Sequence, residues 1–192
     1  MSKKENEQIQ IYAEHIRESN HQYFDKLFYL LYPKLVRFAM RYTKQKAAAN
    51  DIVQETFVML WENRTNIEPD KSLKSYMFKT VRNRSINWLQ SKANQFEVLD
   101  EPVQSPHNVA DTGVSEDENS TADLFKKWIN ELPERQKEAF ELSRFDGLNH
   151  QEIASVMDIS EKTVNNHIVS ALQILRDNYD SHQKFSNRAE NE

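Results

Sequence analysis

The sequence predicts an all-α chain: two helical domains joined by a flexible acidic linker, the second domain a helix-turn-helix. Three observations predict it. Glycine occurs only twice and proline five times in 192 residues, too few for the turns that strands require every few positions. Apolar residues recur at helical spacing over long segments. Between Ala93 and Phe125 stand eight acids and no Lys or Arg, with Pro102, Pro106, Gly113 and a run of Ser, Thr, Asn and Asp. That is the composition of a linker.

Residues 1–19 are set aside as an N-terminal extension, whose start, MSKKENEQIQ, lacks the apolar core of a secretory signal. The first domain spans 20–92. Ser19 and Asn20 are capping candidates. After them Phe24, Leu27, Phe28, Leu31, Leu35, Phe38, Ala39 and Tyr42 form one apolar stripe. Pro33 lies inside it, and because proline lacks the amide donor and crowds the preceding turn, a bend or break is expected there. Residues 26–50 hold six cations and no acid.

A second helix is expected over about 48–63. Ile52, Val53, Thr56, Phe57, Leu60 and Trp61 make its apolar band, and Asp51, Gln54, Glu55 and Glu62 its polar, acidic edge. Such an edge either solubilises the helix or docks a basic partner. After a loop over 64–71, a third helix runs over about 72–92, with Met77, Val81, Ser85 and Trp88 on one side. Tyr76, Lys79, Asn83, Ile86, Asn87 and Gln90 lie on the other, flanked by Arg82. Residues 71–92 contain six basic residues and no acid. Cations with a stackable ring and amides suit a nucleic-acid strand; a solvated basic helix is the alternative.

The linker, 93–122, is either a solvated spacer or an acidic tether that mimics nucleic acid in a basic channel. The second domain covers 123–179 and a tail 180–192. Leu124, Phe125, Trp128, Ile129 and Leu132 form its first stripe, Pro133 suits a first helical position, and Gly147 a helix end. Asn149 and Glu152 have the spacing of a capping box. Asp158 must turn the chain in a left-handed conformation, and Ser160 caps the last helix, whose stripe Val164, Ile168, Ala171, Leu172 and Leu175 is expected to be core. Lys162, Thr163, Asn166, Val169, Ser170 and Gln173 point away from it, with Asn165 and His167 at its edges. These side chains can read base edges; a polar face for protein contact is the other reading.

The absence of cysteine excludes disulfides and thiolate chemistry and suits a cytoplasmic location. No apolar run approaches the ~20 residues of a membrane span, so no membrane insertion is expected. With two isolated glycines there is no phosphate-cradling loop, and the six histidines show no paired ligand spacing. No enzyme, metal, cofactor or small-molecule substrate is therefore expected. A stand-alone helix-turn-helix regulator of duplex DNA remains a rival.

The runs FDKLFYLLYPKLVRFAMRY (24–42), DIVQETFVMLWEN (51–63), LKSYMFKTVRNRSINWLQ (73–90) and LPERQKEAFELSRFDGLNHQEIASVMDISEKTVNNHIVSAL (132–172), in this order, resemble a bacterial RNA polymerase sigma factor. The likeness is to the extracytoplasmic-function group of the sigma-70 family, with the flavour of those from Bacteroidetes. The resemblance implies that Asp51, Gln54, Glu55 and Trp61 contact core RNA polymerase. It implies that the loop 64–71 and Tyr76, Lys79, Arg82, Asn83 and Asn87 capture the non-template strand of the minus-ten element of promoter DNA. Lys162, Thr163, Asn165, Asn166, His167 and Ser170 match the face that reads the minus-thirty-five element. The linker matches the connector threaded near the RNA exit path, and an anti-sigma factor is an implied partner. One departure stands out: residues 131–176 hold eight acids and five bases, where such a reader is usually more basic.

Overall fold

The computed structural model describes residues 2–97 and 121–189, which fall into two compact units. Every regular element among the described residues is helical. The first unit holds α1 (Ser2–Arg17), α2 (His21–Thr43), α3 (Lys46–Glu62), a 3-10 turn (Arg64–Asn66) and α4 (Leu73–Glu97). The second holds α5 (Thr121–Asn130), α6 (Glu134–Arg144), α7 (His150–Met157) and α8 (Glu161–Ala189).

The stretch read as an extension is α1, and it packs on the first unit. Ile9, Tyr12, Ala13 and Ile16 are buried at the i, i+3, i+4, i+7 spacing of one helical face. Gln10, Glu14 and His15 interrupt the stripe in the sequence. A charge cluster pins the start of α1. Glu5 meets Lys34 of α2 at 2.6 Å and Lys74 of α4 at 3.1 Å, and Lys74 is only 1% exposed. Burial pushes the Glu5 carboxyl up, but hydrogen bonds from Lys34 and Lys74 and their charges outweigh it and hold the group below its ordinary value.

Of the two capping candidates, Asn20 caps α2, accepting from the Gln22 amide at 3.1 Å. Ser19 instead turns the chain at φ 66°. Pro33 does not break α2, which is continuous from His21 to Thr43. Pro33 is exposed, so the carbonyl left without its amide donor lies on the wet side. Leu27 and Leu31 before it, and Leu35 and Phe38 after it, are all fully buried. At about 1.5–3 kcal/mol per buried side chain, that anchoring on both flanks exceeds the ~3 kcal/mol proline costs in a helix interior.

Val53, Phe57 and Leu60 of α3 and Met77, Phe78 and Val81 of α4 complete the core, with the Phe38 and Phe78 rings edge to face at 5.1 Å. Ser72 caps α4 by accepting from the Ser75 amide at 3.2 Å. The helix continues past the expected end at Lys92 to Glu97, because nothing from Ala93 to Glu97 breaks it. The rest of the predicted linker, 98–120, lies outside the described residues.

In the second unit Trp128, Ile129, Leu132, Phe140, Ala171 and Leu175 form one buried cluster. Pro133 caps α6 from just outside it, one position before the expected site, and Gly147 adopts φ 66°. Helix α8 runs into the segment read as a tail, and it corrects one core assignment. Leu172 is 39% exposed, whereas Ile174 packs against the cluster. Leu172 sits about 100° of helix rotation beyond Ala171, outside the arc that α5–α7 cover.

Candidate nucleic-acid interface

Three faces carry the residues singled out by sequence. On α3, Asp51, Gln54 and Glu55 are exposed because the opposite side of the helix is buried. Glu55 forms an ion pair with Arg84 of α4, and the Gln54 amide donates to the Tyr32 hydroxyl at 3.5 Å. Val58, one turn on, is 55% exposed; the sequence reading placed it neither in the apolar band nor on the acidic edge.

Trp61 is set apart from these three. Its ring meets His21 at 4.2 Å and Phe24 at 5.1 Å, and the Arg64 guanidinium lies 4.5 Å from its centroid. Arg64 also donates to the Trp61 carbonyl and to the Ser19 hydroxyl, each at 2.8 Å. Trp61 thus fastens the 3-10 turn to the start of α2, and the residue is half-buried.

On α4, Tyr76 is 46% exposed, Asn83 and Asn87 are exposed, and Lys79 and Arg82 are half-buried. Spacings of three and four residues put these five on one side of the helix. No acid interrupts it. Within the loop 64–71, Lys71 pairs with Glu68 at 2.8 Å, which lowers the positive charge the loop presents.

Between α3 and α4 lies a groove of about 820 Å³ lined by Asp51, Glu55, Arg84, Asn87, Trp88 and Lys92 among others. It joins the acidic edge of α3 to the amide-bearing side of α4, a continuity that linear sequence could not reveal. Its walls carry opposite charge. Arg84, which the motif reading left aside, bridges them.

The third face belongs to α7 and α8. Asn149 accepts from the Glu152 amide and Glu152 accepts from the Asn149 amide, each at 2.9 Å. This is the expected capping box. Asp158 takes φ 55°, ψ 48°, and its amide bonds to the Ala154 carbonyl. Ser160 then caps α8, accepting from the Thr163 amide at 3.1 Å. Lys162, Asn165, Asn166 and Ser170 are exposed; Thr163 and His167 are half-buried. The Thr163 hydroxyl is occupied by Ser160 at 2.8 Å, so it supports the turn more than it faces solvent. Val169, 56% exposed, stands among the polar side chains.

Such faces suit binding. Among the described residues no group of three or more His, Asp or Glu is placed to hold a metal ion, and no helix is long and apolar enough to cross a membrane.

Known proteins share this organisation. Sigma-70 region 2 matches residues 27–95, and Sigma-70, region 4 matches residues 123–175. The ECF RNA polymerase sigma factor SigM of Bacillus subtilis is 26% identical over 161 residues, covering 79% of this chain and 92% of that protein. The RNA polymerase sigma-H factor of Pseudomonas aeruginosa is 22% identical over 184 residues, covering 88% and 92%. Among solved structures, the sigma factor RpoE of Bartonella quintana, in complex with the anti-sigma factor NepR, aligns with a TM-score of 0.61 at 23% identity. That alignment covers 82% of this chain and 96% of the other.

Proposed function

From the premise that the chain belongs to the sigma-70 family, as a sigma factor of the extracytoplasmic-function group, we infer which faces do its work. It binds core RNA polymerase and directs initiation at promoters. The acidic α3 face of Asp51, Gln54 and Glu55 docks on the polymerase, with Trp61 holding the end of that helix in place. Tyr76, Lys79, Arg82, Asn83 and Asn87 receive the non-template strand of the minus-ten element, where Tyr76 stacks on a base and the amides bond its edge. Lys162, Asn165, Asn166, His167 and Ser170 read the minus-thirty-five element in the major groove, and Thr163 positions the helix start.

One observation carries the strand assignment: a ring 46% exposed lies in line with two exposed amides on a helix side free of acids. The domains that bear these roles are 20–92 and 123–179, with α1 closing the first. An anti-sigma factor that covers the same faces is the regulatory partner; the sigma factor RpoE is held in such a complex, with NepR. The cytoplasm is where this chain meets polymerase. The finer likeness, to sigma factors of Bacteroidetes, rests on the run of the sequence; initiation with core enzyme from such a bacterium and silence with a distant core would bear it out.

Reconstitution tests the whole reading. Adding the chain to cognate core polymerase and a broad promoter library yields sequence-selective transcripts. A stand-alone regulator would leave that library silent.

A further inference from the structure

Four residues of α8 form a stripe along its most exposed side. Lys162, Asn166, Val169 and Gln173 follow one another at +4, +3 and +4, and all four are exposed. Three have an evident use toward DNA. Val169 has none in the fold: Val164, Ile168, Ala171 and Leu175 make the buried face of α8 and are at most 6% exposed. Nor does valine favour a helix.

Its surroundings say what it could touch. At 1.5 Å per residue, Lys162 and Val169 stand about 10 Å apart along the helix, roughly three base-pair steps in a groove. Asn and Gln amides bond bidentately to adenine, and a small apolar group fits the thymine C5 methyl, the one apolar mark on a base edge in the major groove. Gln173 spends one N–H on Asp177 at 2.9 Å, leaving its carbonyl oxygen and second N–H. No arginine lies between Arg144 and Arg176, so Lys162 is the one side chain of the stripe suited to guanine.

We propose that Val169 reads a thymine methyl in the minus-thirty-five element, beside an adenine held by Asn166, so that the chain selects A·T pairs at these steps. The proposal rests on the sigma-factor reading and adds to it the base class selected and a specificity-determining residue.

The test uses the full chain with cognate core polymerase on a promoter library randomised over the minus-thirty-five element. Selected templates converge on adjacent adenine and thymine. Each selected thymine is then replaced by deoxyuridine, which removes only the C5 methyl. At one position initiation falls about fourfold, the worth of one buried methyl-sized group. Val169→Ala shrinks that thymine–uracil difference and Val169→Asn abolishes it, whereas Asn166→Ala keeps it while relaxing the neighbouring adenine. Convergence on G·C at these steps, insensitivity to uracil at every position, or an undiminished uracil effect in Val169→Ala overturns the proposal and leaves initiation intact. If no template is transcribed, the sigma reading itself fails and this proposal falls with it.

Discussion

Replacing Glu5 by Gln tests whether α1 is an integral part of the first unit. The carboxylate faces two ammonium groups, and Lys74 is 1% exposed. Removing one partner of a buried pair costs about 3–5 kcal/mol. Here Glu5 retains 25% of its side-chain exposure, so water and the remaining amide oxygen offset part of the loss. We expect about 2 kcal/mol, measured by urea unfolding of the full chain followed by circular dichroism. For a unit of this size that lowers Tm by roughly 8–16 °C. Glu14→Gln, on the exposed side of the same helix, serves as the control and shifts nothing measurable. Adding Lys74→Met to Glu5→Gln restores part of the loss, because the buried ammonium that has lost the Glu5 carboxylate is gone. The Glu5 carboxyl titrates below its ordinary 4.5 in the folded chain. Its contribution is therefore complete above about pH 4.5 and disappears as the pH falls through the lower, folded value. The gap between wild type and Glu5→Gln should be constant at neutral pH and close in acid. A midpoint unchanged at pH 7, or a gap that widens in acid, would refute the reasoning.

Further outcomes follow from the three faces. Asn83→Ala should lower promoter opening, read by permanganate footprinting, severalfold more than it lowers polymerase binding in a pull-down; Glu55→Lys should do the reverse, and the opposite ordering contradicts the assignment. Asn149→Ala removes one half of the capping box and should destabilise the second unit by about 1 kcal/mol, seen as a lower unfolding midpoint with the first unit unaffected. Residues 120–192 alone should bind promoter DNA weakly, since 131–176 carry eight acids against five bases and each phosphate neutralised adds only about 0.9 to the salt slope. Tight sequence-specific binding by that fragment in a gel-shift titration would sink the idea that polymerase supplies the affinity.

What was legible in the sequence is what short-range chemistry fixes. Asn149, Glu152, Asp158 and Ser160 act on their own or adjacent turns, and each does what its type and spacing implied. The misreadings share a different cause. Pro33 is a helix breaker by local rules, yet Leu27, Leu31, Leu35 and Phe38 are buried against other helices, and tertiary packing decides. Helix α1 was hidden because its stripe is narrow and Glu5 finds its partners at Lys34 and Lys74, far along the chain. For the interfaces, periodicity put Asp51, Glu55, Asn83 and Asn87 on exposed sides. It could not show that Trp61 is engaged by His21, Phe24 and Arg64, or that Arg84 spans to Glu55. Val169 was legible as a position and not as a signal, because an apolar residue on a polar face means something only once its exposure is known.

The left-handed Asp158 has a consequence for mutational tolerance. At φ 55°, ψ 48° the backbone accepts Gly without penalty and Asn or Asp at small cost, while other residues lose roughly 1–2 kcal/mol and β-branched ones fit worst. Position 158 therefore draws on a very short alphabet, although it touches no face assigned to DNA. Its backbone sets the angle at which α8 leaves α7, and a Val or Ile there would re-aim Asn166 and Val169 together. A genetic screen for lost promoter activity would recover position 158 beside true base readers. Only its indifference to which base pair is offered would tell the hinge from the hand.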